Sequence, residues 1–330
     1  MKPKVTVLGW YGKGNVGDEA YKLAFPLIFP GASFTFTDDI LPGSVHENIV
    51  LGGGDVYNKF YIDKIRRGMG RKFAMSVNCT DKTLTDNTIA MFEKVFFRGH
   101  SGTSDKRVRV FPDFTFALEP SLLRGRKLIQ TQFKETDSEQ YQKVIVIIMN
   151  SFLAVKEGLL ARDYINFEKV AMDLAHICDN TNASFLFLPF TNGFPHNDRI
   201  TNSVVYSRCK FWRKNSIWYK PINVQDALDI CCAANLVISS RLHGCIFSAI
   251  GGTPFIDLTH HSKTQAFLEF IKRPYWSVNY WKFDSERMNN LVQVLLEDKK
   301  ERFLLEKTAK EFRGELQTVQ SFVRFVGTKI

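Results

Sequence analysis

Residues 236–254 have the sequence LVISSRLHGCIFSAIGGTP, which predicts a strand, a tight turn and a helix in immediate succession. The apolar run at 236–239 has the length and composition of a buried strand. Arg241 and His243 fall on the turn, and a helix is expected at 244–250. A strand followed at once by a helix is the repeating unit of parallel sheets that carry helices on both faces. This stretch therefore indicates an α/β protein.

The same alternation continues on both sides of this stretch. Predicted strands lie at 5–9, 33–37, 48–51, 72–77, 95–98, 107–110, 144–149, 184–188, 217–219 and 254–258. Predicted helices lie at 18–25, 58–67, 86–92, 167–180, 198–210 and 224–234, and residues 283–326 are charged with apolar residues at helical spacing. Alternating strands and helices favour parallel sheets buried on both faces.

A polar stretch at 119–142 interrupts this alternation and divides the chain into two series. We predict an N-terminal Rossmann-like domain at 1–125, a linker at 126–142 and a C-terminal Rossmann-like domain with terminal helices at 143–330. We expect the two domains to face each other across a cleft. Ligands bind outside the carboxyl ends of the strands in such sheets, so the loops that follow strands are the candidate site.

The composition is that of an ordinary globular chain, and its positive net charge favours an anionic partner. The 330 residues are 45% hydrophobic and 24% charged, with a net charge of +10. The basic residues are scattered without aromatic interleaving, so a nucleic-acid partner is not expected. Apolar runs are too short for a membrane span or a signal peptide, which predicts a cytoplasmic protein. A peripheral membrane contact and the oligomeric state stay open. The six cysteines form no C-x-x-C pair, and no metal is expected.

The loop after the first strand contains G-x-G-x-x-G at Gly12, Gly14 and Gly17. This spacing satisfies the dinucleotide fingerprint only superficially. The glycines begin late, and Asp18 and Glu19 occupy the first turn of the helix, where they would repel a pyrophosphate. One interpretation is therefore a wide capped turn with no ligand. The other is a pocket that offers Asn15 and Asp18 to a hydroxyl-rich ligand such as a sugar.

A second glycine run, Gly52, Gly53 and Gly54, follows the third predicted strand. Consecutive glycines permit a ligand or another part of the backbone to approach closely. A tight strand-to-helix turn and a ligand site are both consistent with this run.

The turn at Arg241 and His243 combines three features that attract a small anion. Arg binds carboxylate or phosphate through a bidentate fork, and His exchanges protons near neutral pH. The amino end of the following helix adds a favourable dipole. Lys263, after the next strand, is a further candidate anion ligand. His260 and His261 are adjacent and point apart, which disfavours a metal site.

Taken in order, these motifs resemble those of the polysaccharide pyruvyl transferase family. The resemblance rests on Gly12 to Glu19 (GKGNVGDE), Gly52 to Gly54, Phe97-Arg98, Pro112-Asp113, Ser240 to Gly244 (SRLHG), Gly252 to Pro254 (GTP) and Lys263. The chain departs from the family pattern at Asn150-Ser151 and Gly99-His100.

The resemblance implies a GT-B-like fold and transfer of pyruvate from phosphoenolpyruvate to hydroxyls of a sugar, glycan or lipid-linked saccharide, forming a ketal. Phosphoenolpyruvate would be the donor substrate, with no separate cofactor. The C-terminal domain would bind the donor and the N-terminal domain the acceptor. The expected catalytic residues are His243 as proton donor, Arg241 as anion clamp and Asp18 as base. The expected substrate-binding residues are Asn15, Gly14, Gly17, Gly53, Gly54, Arg98, Ser240, Gly244 and Lys263.

Three other functions stay open at this point. The first is a nucleotide-sugar glycosyltransferase of the same architecture, although no acidic residue for a ribose follows Gly244. The second is a non-catalytic protein that binds glycans or nucleic acid. The third is an NAD-dependent oxidoreductase, which the acidic start of the first helix disfavours.

Overall fold

The computed structural model describes residues 1–78, 81–99, 103–135, 142–150, 161–193, 197–259 and 262–326. The chain forms two compact units, one of Met1–Leu118 with Lys310–Ile330 and the other of Glu119–Ala309. Each unit contains a six-stranded sheet in which all described strand pairs are parallel. The prediction of two parallel α/β units is confirmed.

The first unit has strand order β2-β1-β3-β4-β5-β6. Its strands are β1 (Lys4–Leu8), β2 (Ser33–Thr37), β3 (Val45–Gly54), β4 (Met69–Val77), β5 (Lys94–Arg98) and β6 (Val108–Phe111). Its helices include α1 (Val16–Ile28), α2 (Lys59–Arg67) and α3 (Lys82–Thr88). The strand order reverses direction between β1 and β3. That reversal is the point at which open α/β sheets bind ligands. One glycine-rich loop follows β1, and the glycines predicted to follow the third strand, Gly52 to Gly54, are instead the last three residues of β3.

The second unit has strand order β12-β11-β10-β7-β8-β9. Its strands are β7 (Val144–Ile148), β8 (Ser184–Phe187), β9 (Asn215–Ile217), β10 (Leu236–Ser239), β11 (Phe255–Thr259) and β12 (Ser277–Asn279). Its helices are α4 (Leu122–Glu135), α5 (Ala161–Asn180), α6 (Asp198–Arg208), α7 (Val224–Ala233), α8 (Leu242–Ile250), α9 (Ser262–Phe270), α10 (Ser285–Glu297) and the first part of α11 (Lys299–Gln317). Here the order reverses between β7 and β10, and Arg241 and His243 follow β10.

Strand burial explains why the sequence predicts these sheets. All five residues of β7 and all four of β8 and β10 are buried. Strands covered on both faces have near-continuous apolar sequences, so their runs are easy to recognise. Every predicted strand is present, with bounds within three residues of those expected. The sequence did not predict α4, α9 or β12.

The polar stretch predicted as a linker contains a packed helix instead. Residues 122–135 form α4, with Ile129 and Phe133 buried. A Cβ on Gly125 would lie 2.0 Å from the carbonyl oxygen of Asp229, so this glycine admits the backbone of α7. The buried residues of α4 include a glycine and a glutamine beside Ile129 and Phe133, while Leu122 and Leu123 are exposed, which explains the absence of a clear apolar period.

The C-terminal residues belong to the first unit, which differs from the predicted domain of 143–330. The Phe325 ring lies 5.1 Å from that of Phe29 and 5.4 Å from that of Phe73. Asn48 Nδ2 donates to the carbonyl of Val326 at 2.9 Å, and the N–H of Val326 donates to Asn48 Oδ1 at 3.1 Å. Aromatic packing and this amide pair hold the chain end on the first sheet.

Two general properties of the chain bear on its chemistry. Among the described residues, no helix combines the length and apolar character that crossing a membrane requires. Five described cysteines are buried free thiols (Cys178, Cys209, Cys231, Cys232 and Cys245).

Candidate functional site

The first glycine-rich loop forms the capped start of α1. Gly12 and Gly14 have φ values of +76° and +69°, which favour glycine. Asn15 is the N-cap residue, and its Oδ1 accepts from the N–H of Gly17 at 3.0 Å. The Glu19 carboxylate accepts from the N–H of Gly12 at 2.5 Å. The structure therefore contains the capped turn, and the Asn15 side-chain oxygen predicted to bind substrate already has a capping role.

The second glycine run allows side chains of α1 to pack directly against the backbone of β3. Gly53 and Gly54 have φ values of +77° and +90°. A Cβ on Gly53 would lie 2.4 Å from Cδ2 of Tyr21, and one on Gly54 would lie 2.9 Å from Oδ1 of Asp18. The glycines thus bring the predicted base Asp18 against the carboxyl end of β3, which is the edge where the sheet reverses.

Arg98 lies in a buried ionic network of the first unit. Its Nη1 donates to Asp113 Oδ2 at 2.8 Å and to the Tyr21 hydroxyl at 2.9 Å, while Nη2 donates to Asp55 Oδ1 at 3.1 Å. The Tyr21 hydroxyl in turn donates to Asp113 Oδ2 at 2.6 Å. Arg98 is 9% exposed and Asp113 is 4% exposed. These contacts connect Arg98 to protein carboxylates.

The network also shifts two pKa values upward. Burial alone would lower the pKa of Arg98, but Tyr21, Asp113 and Asp55 together raise it. Burial raises the pKa of Tyr21 well above its usual value, and Asp113 adds to this shift despite the opposing charge of Arg98. Arg98 therefore stays a cation and Tyr21 a neutral donor. Sequence reasoning missed Asp55, although it directly follows the Gly52–Gly54 run.

In the second unit, Ser239 and Ser240 shape the turn that carries Arg241. Ser239 Oγ accepts from the N–H of Arg241 at 3.0 Å and donates to its carbonyl at 2.8 Å. Ser240 Oγ accepts from the N–H of Asn150 at 2.7 Å and is 2% exposed. A Cβ on Gly244 would lie 2.2 Å from Ser239 Oγ, so the turn excludes a side chain there. Ser240 and Gly244, predicted to bind substrate, hold the shape of this turn.

Arg241 forms a bidentate ion pair with a carboxylate that sequence reasoning missed. Its Nε donates to Asp198 Oδ2 at 2.5 Å, and its Nη2 donates to Asp198 Oδ1 at 2.6 Å and to Asn150 Oδ1 at 3.1 Å. Asp198 also accepts from the N–H groups of Phe190 and Thr191, both at 3.1 Å. The fork predicted to hold a substrate anion bidentately thus faces Asp198, and Nη1 has no hydrogen-bond partner among the residues described here.

His243 lies in the first turn of α8, two positions after Arg241. Its ring centroid is 6.0 Å from that of Phe247 in an edge-on arrangement, and the residue is partly exposed. Arg241 is the N-cap residue of α8, and its side chain makes no capping hydrogen bond. The helix start therefore combines backbone donors, a guanidinium and an imidazole, as the sequence predicted.

Lys263 is the second residue of α9, which follows β11. Because β10 and β11 are adjacent and parallel, Lys263 lies at the same sheet edge as Arg241. His260 and His261 lie outside the described residues.

A cluster of buried polar atoms lies between β8 and α6, beside Asp198. The atoms Thr191 Oγ1, Asn192 Oδ1, Asn202 Nδ2 and Arg199 Nε and Nη2 are shielded from solvent and make no hydrogen bond within the structure described here. Asn202 Oδ1 accepts from the N–H of Met149 at 3.1 Å, which connects the cluster to the end of β7. Unsatisfied buried groups are costly, and a buried guanidinium is especially so. These residues gave no sequence signal because each is an ordinary polar residue, either in the segment after β8 or in the first half of α6.

Similar solved structures share the fold at low identity. A protein described as a UDP-N-acetylglucosamine 2-epimerase of Listeria monocytogenes superposes with a TM-score of 0.57, at 10% identity over 100% of both chains. The UDP-GlcNAc 2-epimerase of Methanocaldococcus jannaschii, in complex with UDP-GlcNAc and UDP, gives 0.56 at 11% identity over 94% of this chain and 99% of that one. Staphylococcus aureus MnaA gives 0.55 at 7% identity over 98% of both chains. The fold class is therefore GT-B-like.

The sequence itself defines the family. The model of the polysaccharide pyruvyl transferase family matches residues 14–262, which is more than half of the chain. This protein therefore belongs to the polysaccharide pyruvyl transferase family, a family of transferases. No curated protein matches the chain.

Proposed function

We propose that this protein transfers pyruvate from phosphoenolpyruvate to two hydroxyls of a sugar or glycan and forms a pyruvate ketal. Family membership supports the reaction class. The observation that carries the proposal is the start of α8, where Arg241 is the N-cap residue and His243 lies in the first turn, at the reversal point of the second sheet.

The donor needs cationic partners because it carries a phosphate and a carboxylate. Arg241 Nη1 and the amino end of α8 offer a donor and a favourable dipole to one of these groups. Arg199 offers a second guanidinium, whose Nε and Nη2 lack partners among the described residues. Lys263 supplies a further positive charge at the same sheet edge. We assign donor binding to these groups.

His243, as imidazolium, protonates the methylene carbon C3 of phosphoenolpyruvate, so C2 acquires oxocarbenium character. A first sugar hydroxyl attacks C2 and loses its proton to Asp18, and exchange with solvent then returns His243 and Asp18 to their starting protonation states. The C2–O bond to phosphate then breaks, and a second hydroxyl attacks C2 and closes the ketal. The proton of that second hydroxyl leaves with inorganic phosphate. A well-placed general acid contributes about 10²–10⁴-fold to such a step.

We assign acceptor binding to the carboxyl edge of β3 in the first unit. Asp18 lies against Gly54, and Asp55 follows that glycine directly. Carboxylates accept hydrogen bonds from sugar hydroxyls, and Asp18 would serve as the base. Arg98 positions Asp55 through the 3.1 Å contact. The acceptor proposed here is a sugar, a glycan or a lipid-linked saccharide.

The decisive experiment is incubation of the protein with phosphoenolpyruvate and a glycan library. The expected result is stoichiometric release of phosphate with addition of a pyruvate ketal to one acceptor, detected by mass spectrometry. A thermal-shift panel with phosphoenolpyruvate, UDP-sugars, NAD and oligonucleotides distinguishes the alternatives, because a ligand stabilises the state it binds. Stabilisation by a UDP-sugar and not by phosphoenolpyruvate would favour a glycosyltransferase. Phosphoenolpyruvate binding without turnover of any acceptor would favour a non-catalytic relative.

A further inference from the structure

A cavity of about 700 Å³ lies in the second unit, away from Arg241 and His243. Its wall includes Lys143 and Val144 at the amino end of β7 and Asn235 at the amino end of β10. Arg241 follows the carboxyl end of β10. Four strand residues separate the two edges by roughly 13 Å, at about 3.3 Å per residue. The cavity, which we call the amino-edge cavity, is therefore separate from the proposed donor site.

Four cations line the amino-edge cavity, and one of the four forms an ion pair with a residue that the structure describes. These are Arg126, Lys143, Lys299 and Arg302. Lys143 forms an ion pair with Glu297. The other acidic residue of the wall, Asp298, accepts from the N–H of Glu301 at 2.9 Å and thereby caps α11. Arg126 and Lys299 are exposed and make no hydrogen bond or ion pair with the described residues.

Two backbone carbonyls hold the guanidinium of Arg302, and they contact only one of its three nitrogens. Its Nη2 donates to the carbonyls of Ala234 at 3.2 Å and Asn235 at 3.1 Å. Its Nε and Nη1 make no hydrogen bond within the described part of the chain. Burial and the nearby charge of Arg126 lower the pKa of Arg302, although Glu306 opposes this. Two guanidinium groups that repel each other across a cavity create a place where an anion would relieve the repulsion.

We propose that the amino-edge cavity binds a small organic molecule that carries a diphosphate group. Arg126, Lys299 and Arg302 contact the phosphate oxygens, because guanidinium groups match phosphate geometry and three positive charges suit a multiply charged anion. Apolar side chains of the wall, including Ile129 and Leu295, face the organic part. The volume lies within the usual range of small-molecule sites. This site is independent of the proposed pyruvyl transfer.

The test uses calorimetric titration of the full chain with inorganic pyrophosphate, for the anion alone, and with ADP, for a diphosphate that carries an organic body. The double variant Arg126→Gln/Lys299→Gln removes two wall cations. Its matched control is Lys127→Gln/Lys300→Gln, which removes the same charge from neighbouring exposed positions outside the wall. Charge-assisted hydrogen bonds contribute about 1.5–3 kcal/mol each, so the first variant should weaken both probes by about tenfold or more. The control should stay within about twofold of the unmodified chain.

Three results would overturn the inference. These are absence of binding by both probes, unchanged affinity in Arg126→Gln/Lys299→Gln, and an equal loss in the control variant, which would indicate a general charge effect. Pyrophosphate that binds at least tenfold more tightly than ADP would overturn the organic part of the proposal. Because the cavity and Arg241 lie at opposite sheet edges, failure here would leave the result of the phosphoenolpyruvate assay unaffected.

Discussion

Arg241 and Asp198 form a bidentate ion pair in which the carboxylate side chain is fully buried and the guanidinium side chain is 14% exposed. Asp198 also receives two backbone N–H groups from the end of β8. The carboxylate is therefore rigidly held and fixes the direction of the guanidinium. The orientation of Arg241 therefore depends on a residue 43 positions earlier in the chain, and in the proposed reaction its remaining donors would meet the donor substrate.

The variant Asp198→Asn should lose both stability and donor affinity. Breaking a buried ion pair costs about 3–5 kcal/mol, which urea unfolding measures. Loss of the fixed guanidinium should weaken phosphoenolpyruvate binding, measured by calorimetry below the unfolding temperature. The control Asn150→Ala removes one neutral acceptor and should cost about 1.5–3 kcal/mol at most. Unchanged donor affinity in Asp198→Asn would show that the orientation of Arg241 does not matter.

The variant His243→Ala should abolish turnover while leaving the fold and phosphoenolpyruvate binding largely intact. The reason is that the imidazole is assigned to proton transfer, which contributes about 10²–10⁴-fold, and not to anion binding. Phosphate release measures turnover, and calorimetry measures donor binding. Near-normal turnover would remove His243 from the mechanism.

The variant Arg199→Met should bind phosphoenolpyruvate more weakly and yet be at least as stable as the unmodified chain. The Nε and Nη2 atoms of this partly exposed side chain are shielded from solvent and make no hydrogen bond with the described residues, so their loss relieves a desolvation cost. Loss of charge-assisted hydrogen bonds to the donor should reduce affinity by about tenfold. Thermal unfolding and calorimetry provide the two readouts. The control Arg213→Met changes an exposed guanidinium and should leave affinity unchanged; an equal affinity loss there would contradict a specific role for Arg199.

The variant Gly53→Ala should destabilise the first unit more than Gly12→Ala. Both glycines have φ near +77°, where a side chain costs about 1–2 kcal/mol. Only Gly53 also faces a neighbour, since its Cβ would meet the Tyr21 ring at 2.4 Å while that of Gly12 has nothing within 4 Å. Denaturant unfolding should show the difference. Equal losses would indicate that the Tyr21 ring moves aside without cost.

The variant Asp229→Asn should destabilise the second unit more than Asp226→Asn. Both carboxylates pair with Arg124, but Asp229 is fully buried and also accepts from the N–H of Ser121 at 2.7 Å. Solvent screens the ion pair of the more exposed Asp226, so Asp226→Asn should lower the free energy of unfolding by well under 1 kcal/mol. Asp229→Asn should lower it by about 3 kcal/mol. Similar small losses in the two variants would indicate that α4 contributes little and behaves as the linker that the sequence suggested.

The local chemistry of the turn before α8 was predictable because all its parts are consecutive. A buried strand, Arg241, His243 and a helix start lie within a few residues, and short-range geometry places them together. Asp198 and Arg199 were not predictable as site residues. Asp198 contacts Arg241, and Arg199 follows Asp198 in α6, only because β8 pairs with β7 and β7 pairs with β10, and a single sequence does not specify strand order.

The C-terminal residues and the stretch at 119–142 also show which features a single sequence predicts and which it does not. Stretch 119–142 has little apolar periodicity, yet Gly125 allows a helix to pack closely on α7. The C-terminal residues belong to the first unit because Phe325 packs against Phe29, Phe34 and Phe73, which are distant in the sequence. Contacts of this kind depend on long-range packing, which composition does not reveal.

By itself, the sequence determined the α/β class, the position of every predicted strand and the turn that carries Arg241 and His243, because apolar runs and turn residues act over a few positions. The tertiary structure alone decided the partners of the candidate site residues: Asp198 for Arg241, Asp55 and Asp113 for Arg98, and Tyr21 and Asp18 for the glycines at the end of β3. Partner choice depends on which strands become neighbours, and that order results from burial of the whole sheet.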